Sequence, residues 1–410
     1  MNKINKDWKE VKLGDIVDIT MGQSPKSQFY NKINKGMPFL QGSSTFGHLY
    51  PSFEIYSSDI KKIAVNGSIL MSVRAPVGDL NMANTDICIG RGLCSINGKN
   101  KSLNRYIFYL LNYYKSKIVN IQTGTVFGAI SKDNILNFKV SIPQSEKEQK
   151  YIASILSSFD DKIELNNKTN KILEEMAQTI FKEWFINFNF PNEDGKPYKK
   201  SGGEMIDSEL GKIPKGWKVI TLKDIIGIAK GKKPKATSDK ITEKFTMPYL
   251  TINCYNNEAT EYTEYNEKMH VKELDIIMVM DGNAGKIFYG KEGILSSTMA
   301  KLIVEDSNLN ELVFYFLKSI EYDLMYHTVG SVIQHADKQY MLNKKFCVSL
   351  DNLERLSDIF KCIRKEISLN KKENEKLSNI RDSLLPKLMT PKGRRADGEI
   401  RVNGSGNNGV

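Results

Sequence analysis

Arginines in two short loops are the residues of this chain best suited to do chemistry. Arg74 follows a predicted strand, and Arg91 lies between two glycines just before another. A guanidinium group donates two parallel hydrogen bonds, and the major-groove edge of guanine offers two acceptors at the matching spacing. Both arginines are therefore candidate base-reading residues, although an ordinary surface turn is the competing interpretation of either loop alone.

Polar and basic turns occur at corresponding places in the two halves of the chain. The turn 22–27 carries a glutamine, serines and a lysine, and the turn 231–235 carries three lysines. Two glycine-containing loops, 123–127 and 329–335, follow predicted helices, where glycine would let backbone amides approach a phosphate. The predicted DNA-contacting residues are Gln23, Ser24, Lys26, Arg74, Arg91, Thr125, Phe127, Lys232, Lys233, Lys235, Asn283, Lys286, Ser331, Gln334 and His335.

No stretch of the sequence has the residues and spacing of a known catalytic motif. The stretch 282–286 is too short for a phosphate-binding loop, and no Gly-x-Gly-x-x-Gly follows a predicted strand. The Asn/Asp-Pro-Pro-aromatic clamp for methylating exocyclic amines is missing, since 187–191 is better explained as a helix end. The four histidines show no metal-ligand spacing, and Asp160-Asp161 is expected on a solvated helix face. The sequence predicts a non-catalytic chain that holds no cofactor or metal.

Composition favours a polyanionic partner. The 410 residues carry a formal net charge of +11, which favours nucleic acid, although a lysine-rich proteome would give the same balance. Five cysteines without a Cys-x-x-Cys pair predict reduced, packed thiols. The N-terminal residues show no secretory signal, and the longest apolar run, 276–280, is too short for a membrane span. The expected location is the cytoplasm.

The elements that position these residues occur twice. Residues Trp8–Phe185 recur in outline as Trp217–Met389, and Met37 corresponds to Met247. So long a period indicates a duplicated domain with a duplicated connector, since solenoid repeats run roughly 20–50 residues. The two copies are expected to present similar surfaces about an approximate two-fold axis, which suits duplex DNA.

Each copy is predicted to open with a mixed α/β domain. The runs 68–73 and 138–142 are β-rich and have counterparts in the second copy. A helix is predicted over 103–120, with a twin that starts near Leu309. Apolar framework positions agree between the copies and polar loop positions do not: Arg74 falls opposite about Gly282, and Arg91 opposite about Met299. Two copies of one scaffold that bind two different ligands would show this pattern.

Each copy is predicted to close with a long helix whose apolar residues are spaced alternately by three and four. The first helix begins with a Ser-x-x-Glu capping box at 145–148. About 40 residues of helix span roughly 60 Å, and a helix so long needs a partner along its apolar seam. Its twin is the nearest candidate, which predicts an antiparallel coiled coil. Pro386 is expected to break or kink the second helix.

Four asparagines interrupt the apolar seams of the two predicted helices. Buried seam asparagines cost stability but fix register, so these residues are predicted to meet in the middle of the pair. Exposure to solvent where the helices splay apart is the alternative. The predicted register residues are Asn166, Asn170, Asn370 and Asn374.

The predicted fold class is α+β, with two similar globular α/β domains joined by two long antiparallel helices and an internal pseudo-two-fold. The predicted segments are a first domain at 1–144, a helix at 145–190, a linker at 191–212, a second domain at 213–350, a helix at 351–390 and a disordered tail at 391–410.

The chain resembles the specificity subunit of a type I restriction–modification system over nearly all of Trp8–Met389. The opening stretch 8–15 and the linker phrase 202–217 carry the resemblance, together with Ile142-Pro143 and the closing Leu384–Leu388. The second domain departs slightly from the family's pattern, because Leu350-Asp351 replaces the Ile-Pro step.

The resemblance implies two target-recognition domains, each reading half of a split DNA sequence, with the paired helices as the ruler between them. It also implies the partners: double-stranded DNA, two modification subunits that methylate adenine with S-adenosylmethionine, and restriction/translocase subunits. The alternatives are a nuclease or methyltransferase with a degenerate site, and a coiled-coil scaffold that binds only protein. Binding of S-adenosylmethionine or Mg²⁺ by the purified chain would favour the first, and an absence of salt-dependent DNA binding the second.

Overall fold

The computed structural model describes residues 7–121, 128–255, 261–330, 334–349 and 353–391, which fall into two compact units. The first unit combines the chain up to Lys168 with the chain from Asn370 onward, and the second is Thr169–Leu369. The predicted contact residues Thr125, Phe127 and Ser331 lie outside the described residues, as does almost all of the predicted tail.

The strands of the first unit form one four-stranded sheet, one five-stranded sheet and a two-stranded ladder. The strands are β1 (Trp8–Lys12), β2 (Val17–Met21), β3 (Tyr30–Asn31), β4 (Met37–Leu40), β5 (Tyr56–Ser57), β6 (Ile63–Ala64), β7 (Ile69–Ser72), β8 (Leu80–Met82), β9 (Ile87–Ile89), β10 (Leu93–Gly98) and β11 (Lys139–Pro143). The helices are α1 (Leu13–Ile16), α2 (Asn104–Val119), α3 (Lys132–Leu136) and α4 (Glu146–Phe181), the last of which continues into the second unit.

The sheet orders of the first unit are β2-β10-β7-β8, β3-β5-β4-β9-β6 and β1-β11. Helix α2 buries residues on most of its circumference, including Tyr106, Ile107 and Leu110. These pack in one core with residues of the four-stranded sheet, such as Ile69 and Ile96.

The second unit repeats this arrangement after a short hairpin. Its strands are β12 (Met205–Ser208), β13 (Gly211–Pro214), β14 (Lys218–Thr221), β15 (Ile226–Lys230), β16 (Met247–Leu250), β17 (Glu261–Thr263), β18 (His270–Val271), β19 (Ile276–Val279), β20 (Ile287–Tyr289), β21 (Gly293–Leu295), β22 (Met299–Val304), β23 (Thr328–Val329), β24 (His335–Ala336) and β25 (Lys345–Val348). Its helices are α5 (Ile252–Tyr255), α6 (Asn310–Ser319), α7 (Glu321–Tyr326), α8 (Lys338–Leu342) and α9 (Leu353–Leu388), the last of which ends in the first unit.

Sheet topology confirms the predicted duplication. The order β15-β22-β19-β20 matches β2-β10-β7-β8, and the ladder β14-β25 matches β1-β11. Each unit also contains one parallel strand pair: β4 pairs with β9 through Leu40 and Ile89, and β16 with β21 through Leu250 and Leu295. Two copies of one mixed α/β fold are therefore present in the chain.

The long helices run antiparallel within each unit. In the first unit, Asn166 of α4 donates to Asn374 of α9 at 2.8 Å, and Lys162 lies 3.2 Å from Glu373. In the second unit, the rings of Phe181 and Phe360 lie 6.4 Å apart. Each compact unit thus includes parts of both helices.

Helix α4 begins where the capping residues predicted it, because Ser145 directly precedes its first residue, Glu146. Glu146 and Glu148 place negative charge on the first turn, where the helix dipole favours it. Pro386 was expected to break or kink helix α9. The helix does not end at Pro386 but runs on to Leu388, and a kink at the proline stays a prediction. Ile380 falls on the apolar stripe that the spacing of apolar residues predicts for α9, but its side chain is 46% exposed, so its placement in the seam is wrong.

Asp160 is the clearest correction to the sequence analysis. It was expected on a solvated face but is only 1% exposed. Its carboxylate accepts hydrogen bonds from Tyr109 and Arg381, and His48 Nε2 lies 2.9 Å from Oδ1. Neighbouring Asp161 does lie at the surface, 2.8 Å from Arg105. Spacing along the helix alone could not show that partners from three other elements converge on Asp160.

Two further sequence predictions concern cysteines and membranes. Among the described residues all five cysteines are free thiols; four are buried, and Cys362 is exposed rather than packed. No helix in the described part of the chain has the length and apolarity that crossing a bilayer would require.

Candidate nucleic-acid interface

Four loops of the first unit converge at one end of its four-stranded sheet. Gly22 N donates to Leu93 O at 2.9 Å, so the turn after β2 lies against the start of β10. Gly92 N donates to Gln41 O at 3.1 Å, which brings in the loop after β4. Val73 N donates to Gly92 O at 2.8 Å, which brings the Arg74 loop beside the Arg91 loop. The structure thus brings the two predicted base-reading arginines onto adjacent loops.

Side chains cross-link these loops. Ser24 Oγ donates to Gln41 Oε1 at 2.8 Å and accepts from the backbone amide of Arg91 at 3.1 Å. Gln41 is exposed, and so are Gln23, Arg74 and Arg91. Sequence reasoning missed Gln41, although a signal existed, because it directly follows the repeated stretch Met37–Leu40. A glutamine amide is well suited to adenine, so it belongs to the candidate surface.

Glycine is required where the first turn meets the other loops. A Cβ placed on Gly22 would lie 2.1 Å from Gly90 O, and one on Gly231 would lie 2.1 Å from Ser296 O. Both obstacles are backbone atoms that cannot rotate away. The same constraint in both copies explains why this glycine recurs while the polar residues that follow it differ.

We expect Gly22→Ala to destabilise the chain by about 1–3 kcal/mol, because the added methyl group must push the loops apart. The same displacement should weaken binding of nucleic acid to the candidate surface. Gly42→Ala is the matched control, since a Cβ there meets nothing within 4 Å. That variant should stay within about 0.5 kcal/mol of the parent chain. Urea unfolding compares the two, and equal losses would show that the close approach is unimportant.

The corresponding loops of the second unit converge in the same way. Gly231 N donates to Met299 O at 3.0 Å, and Gly282 N donates to Gln334 O at 3.0 Å. Asn283 and Gln334 are exposed, and Lys286 is half-buried in the turn between β19 and β20. The exposed lysines of the first turn are Lys232, Lys233 and Lys235, and Lys26 is exposed at the corresponding turn of the first unit.

Backbone hydrogen bonds correct the predicted alignment of the copies. Met280 N donates to Thr298 O at 2.8 Å, as Val73 N does to Gly92 O. Arg74 therefore corresponds to Asp281 rather than Gly282. By the same equivalence of Gly92 with Thr298, Arg91 corresponds to Ser297 rather than Met299. Sequence identity was too low in these loops to fix the register to a single residue.

Asp281, which the sequence analysis did not name, adds a carboxylate to the loop surface of the second unit. His335 Nδ1 lies 2.7 Å from its Oδ1, and Lys230 Nζ lies 3.4 Å from its Oδ2. Partial burial alone would raise the pKa of this carboxyl. The hydrogen bond from His335 and the charge of Lys230 outweigh that effect, so the pKa of Asp281 is lowered. The second surface thus holds an ionised carboxylate where the first holds an arginine.

Asn166 and Asn374, both predicted register residues, are in contact. Asn166, 3% exposed, donates to Glu373 Oε2 at 2.7 Å as well as to Asn374. Asn374 donates in turn to Asn167 at 2.9 Å. Asn370 is also buried and lies in the first unit. Asn170 is half-buried and lies in the second unit. Their role in fixing the register of the helices stays a prediction.

The converging loops of each unit present hydrogen-bond donors and acceptors. The exposed lysines of the first turns add positive charge beside them. Within the described residues, no group of three or more His, Cys, Asp or Glu side chains could hold a metal ion. What these surfaces can do chemically is to bind a polyanion whose edges carry a hydrogen-bonding pattern.

Comparison with known proteins gives a consistent result. The profile of the type I restriction modification DNA specificity domain matches residues 5–175 and again 214–379, one match to each copy of the repeat. The crystal structure of a type I restriction–modification S subunit from M. genitalium has a similar fold, with a TM-score of 0.57 at 16% identity; the match covers 95% of this chain and 98% of that one.

Two curated relatives come from Methanocaldococcus jannaschii. The putative type I restriction enzyme MjaX specificity subunit is 43% identical over 183 residues, which is 44% of this chain and 43% of that protein, so this match spans less than half of the relative. The type I restriction enzyme MjaIX specificity subunit is 25% identical over 436 residues, covering 98% of this chain and 95% of that protein.

Proposed function

This chain belongs to the family of type I restriction–modification DNA specificity domains, and from that premise we propose that it is a non-catalytic subunit that reads a bipartite DNA target. One observation carries the proposal: the same cluster of loops occurs twice on the same scaffold, with different polar side chains. Two copies of one scaffold that carry different hydrogen-bonding side chains suit two different half-sequences of one duplex.

Within each half-site, arginine and amide side chains are the proposed base readers. Arg74, Arg91 and Gln41 would serve the first domain, and Gln334 and His335 the second. Lys232, Lys233 and Lys235 would instead contact phosphate, because flexible exposed ammonium groups add affinity without sequence information. Lys26, Asn283 and Lys286 would support the same contacts from neighbouring positions.

The proposed partners follow from the family. Two modification subunits would supply S-adenosylmethionine and methyl transfer to adenine, and restriction/translocase subunits would supply cleavage. The complex would act in the cytoplasm, where it meets DNA.

The purified chain is therefore expected to transfer no methyl group and to cleave no DNA, whereas its complex with the modification subunit should methylate DNA. A radiolabelled methyl-transfer assay on random-sequence duplexes tests this. If the purified chain, freed of partner subunits, still transfers the label, the non-catalytic role is contradicted. That result would favour a methyltransferase with a degenerate site.

We also propose that the two long helices set the spacing between the half-sites. Removing one heptad from each helix keeps their apolar seams in phase and shortens the pair by roughly 10 Å. At about 3.4 Å per base pair, the preferred gap should shrink by roughly one to three base pairs if the helices lie along the duplex. Removing 14 residues from one helix alone is the control, because it leaves an unmatched seam.

Mapping methylated sites in cells that express the matched double deletion measures the new gap. An active complex that keeps both half-sites at the original spacing would show that the helices do not set it.

A further inference from the structure

The second unit holds a carboxylate–imidazole pair at the place where the first holds Arg74. The carbonyl of Val73 accepts from Ile130 N at 3.1 Å, and that of Met280 accepts from Ala336 N at 2.8 Å. The next residues form matching antiparallel bridges, Arg74 with Ala129 and Asp281 with His335. At one position of a shared scaffold, a pure hydrogen-bond donor has therefore been replaced by a pair that contains acceptors.

The geometry of the pair orients the imidazole. Asp281 is the less exposed member at 21%, and its Oδ1 lies 2.7 Å from His335 Nδ1. Lys230, 3.4 Å from the other carboxylate oxygen, supplies the balancing positive charge. The imidazole is 50% exposed, so one of its nitrogens is held by the protein while the ring remains accessible.

An ionised carboxylate can only accept hydrogen bonds, so His335 must donate to it from Nδ1. In a neutral imidazole the other nitrogen, Nε2, then carries a lone pair and acts as an acceptor. A carboxylate that fixes a histidine tautomer in this way also occurs where histidine binds a metal or acts in catalysis, but here the described residues hold no metal-binding group.

We propose that His335 reads an exocyclic amino group on the major-groove edge of a base through Nε2, and that Asp281 is the positioning residue that holds the acceptor tautomer. The inference rests on the proposed function and deepens it. In the major groove such amino groups occur on adenine N6 and cytosine N4, whereas guanine and thymine present acceptors there. The two domains would thus differ in kind at this position: a donor that selects guanine in the first, an acceptor that selects adenine or cytosine in the second.

The test uses the full chain in complex with its modification subunit and a duplex library randomised across the recognised half-sites. The parent complex should require adenine or cytosine at one position of the second half-site. His335→Ala should relax that position by on the order of tenfold or more in selectivity. Asp281→Ala should relax the same position, because the proton is then free to move to Nε2. Replacing the required base by an analogue without the amino group should weaken the parent complex and leave His335→Ala unaffected.

Two controls separate this inference from the proposed function. Arg74→Ala should relax only the first half-site, and the imidazole nitrogen resonances of His335 should place the proton on Nδ1 in the parent chain but not in Asp281→Ala. A second half-site that stays fully selective in His335→Ala, or a proton found on Nε2 in the parent chain, would overturn the inference and leave the proposed function standing. A parent complex with no base preference at either half-site would overturn both.

Discussion

Replacing Arg381 by alanine is expected to lower the free energy of unfolding by about 3–5 kcal/mol. Arg381 pairs with Asp160, which is only 1% exposed, and the substitution leaves that carboxylate buried without its arginine partner, in contact with Tyr109 and His48. Removing one partner of a buried pair costs far more than the pair itself contributes, because the remaining charge has lost its solvent and its counter-ion. Urea unfolding measures the loss.

The matched control is the exposed pair of Lys139 with Glu10, 3.0 Å apart and more than half exposed on both sides. Lys139→Ala should cost less than about 1 kcal/mol. Changing both Asp160 and Arg381 to leucine should restore part of what Arg381→Ala loses, since no unpaired charge remains. If Arg381→Ala costs no more than Lys139→Ala, the buried cluster does not hold the first unit together.

The effect should depend on pH in a defined direction. Burial alone would raise the pKa of Asp160, but the hydrogen bonds from His48 and Tyr109 and the charge of Arg381 outweigh it, so the folded-state pKa is lowered. A lowered pKa means that the unfolded chain binds the proton more tightly. The stabilisation is therefore complete above the ordinary aspartate pKa of about 3.9 and is lost as the pH falls through the folded-state pKa. The penalty of Arg381→Ala should shrink over the same range.

Replacing Arg74 by alanine is expected to relax one base position of the first half-site by about 1–3 kcal/mol, roughly five- to 150-fold in discrimination. The reason is geometric: Arg74 is exposed and directly follows the buried run Ile69–Val73, so its side chain extends from a well-packed strand end. Arg74→Lys keeps the charge but loses the two parallel hydrogen bonds. It should retain most of the affinity and still lose the discrimination.

Competition between matched and single-base-mismatched duplexes, at one fixed salt concentration, measures this effect in the assembled complex. The second half-site is the internal control and should keep its full selectivity. Arg74→Ala that leaves both affinity and selectivity unchanged would remove this residue from the proposed base readers.

The duplication, the long helices and the polar turns could be predicted from the sequence because each depends on local periodicity or on recurrence within the chain. The mixed α/β sheets and the start of α4 followed from the same signals. Burial of Asp160 could not be predicted, since it depends on His48, Tyr109 and Arg381, which approach from distant parts of the chain. A charged residue on a helix is usually solvated, and only the tertiary contacts reverse that expectation here.

The candidate surface shows the same limit. The corresponding places of the polar turns followed from the repeat, but the one-residue correction that aligns Arg74 with Asp281 required the backbone hydrogen bonds of Val73 and Met280. The contact of Gln41 with Ser24 required coordinates too, because the two residues lie on different loops. Apolar positions are repeated because both copies need the same core, whereas ligand-facing positions diverge and give no internal alignment.

The central claim is that one chain reads two half-sequences of a single duplex. Mapping methylated adenines across the genome of a host that expresses the chain with the proposed modification subunit tests this most directly. The predicted result is one motif made of two defined half-sites separated by a gap of fixed length and unspecified sequence, absent when the chain is omitted. One uninterrupted motif, or methylation that does not depend on this chain, would contradict the account.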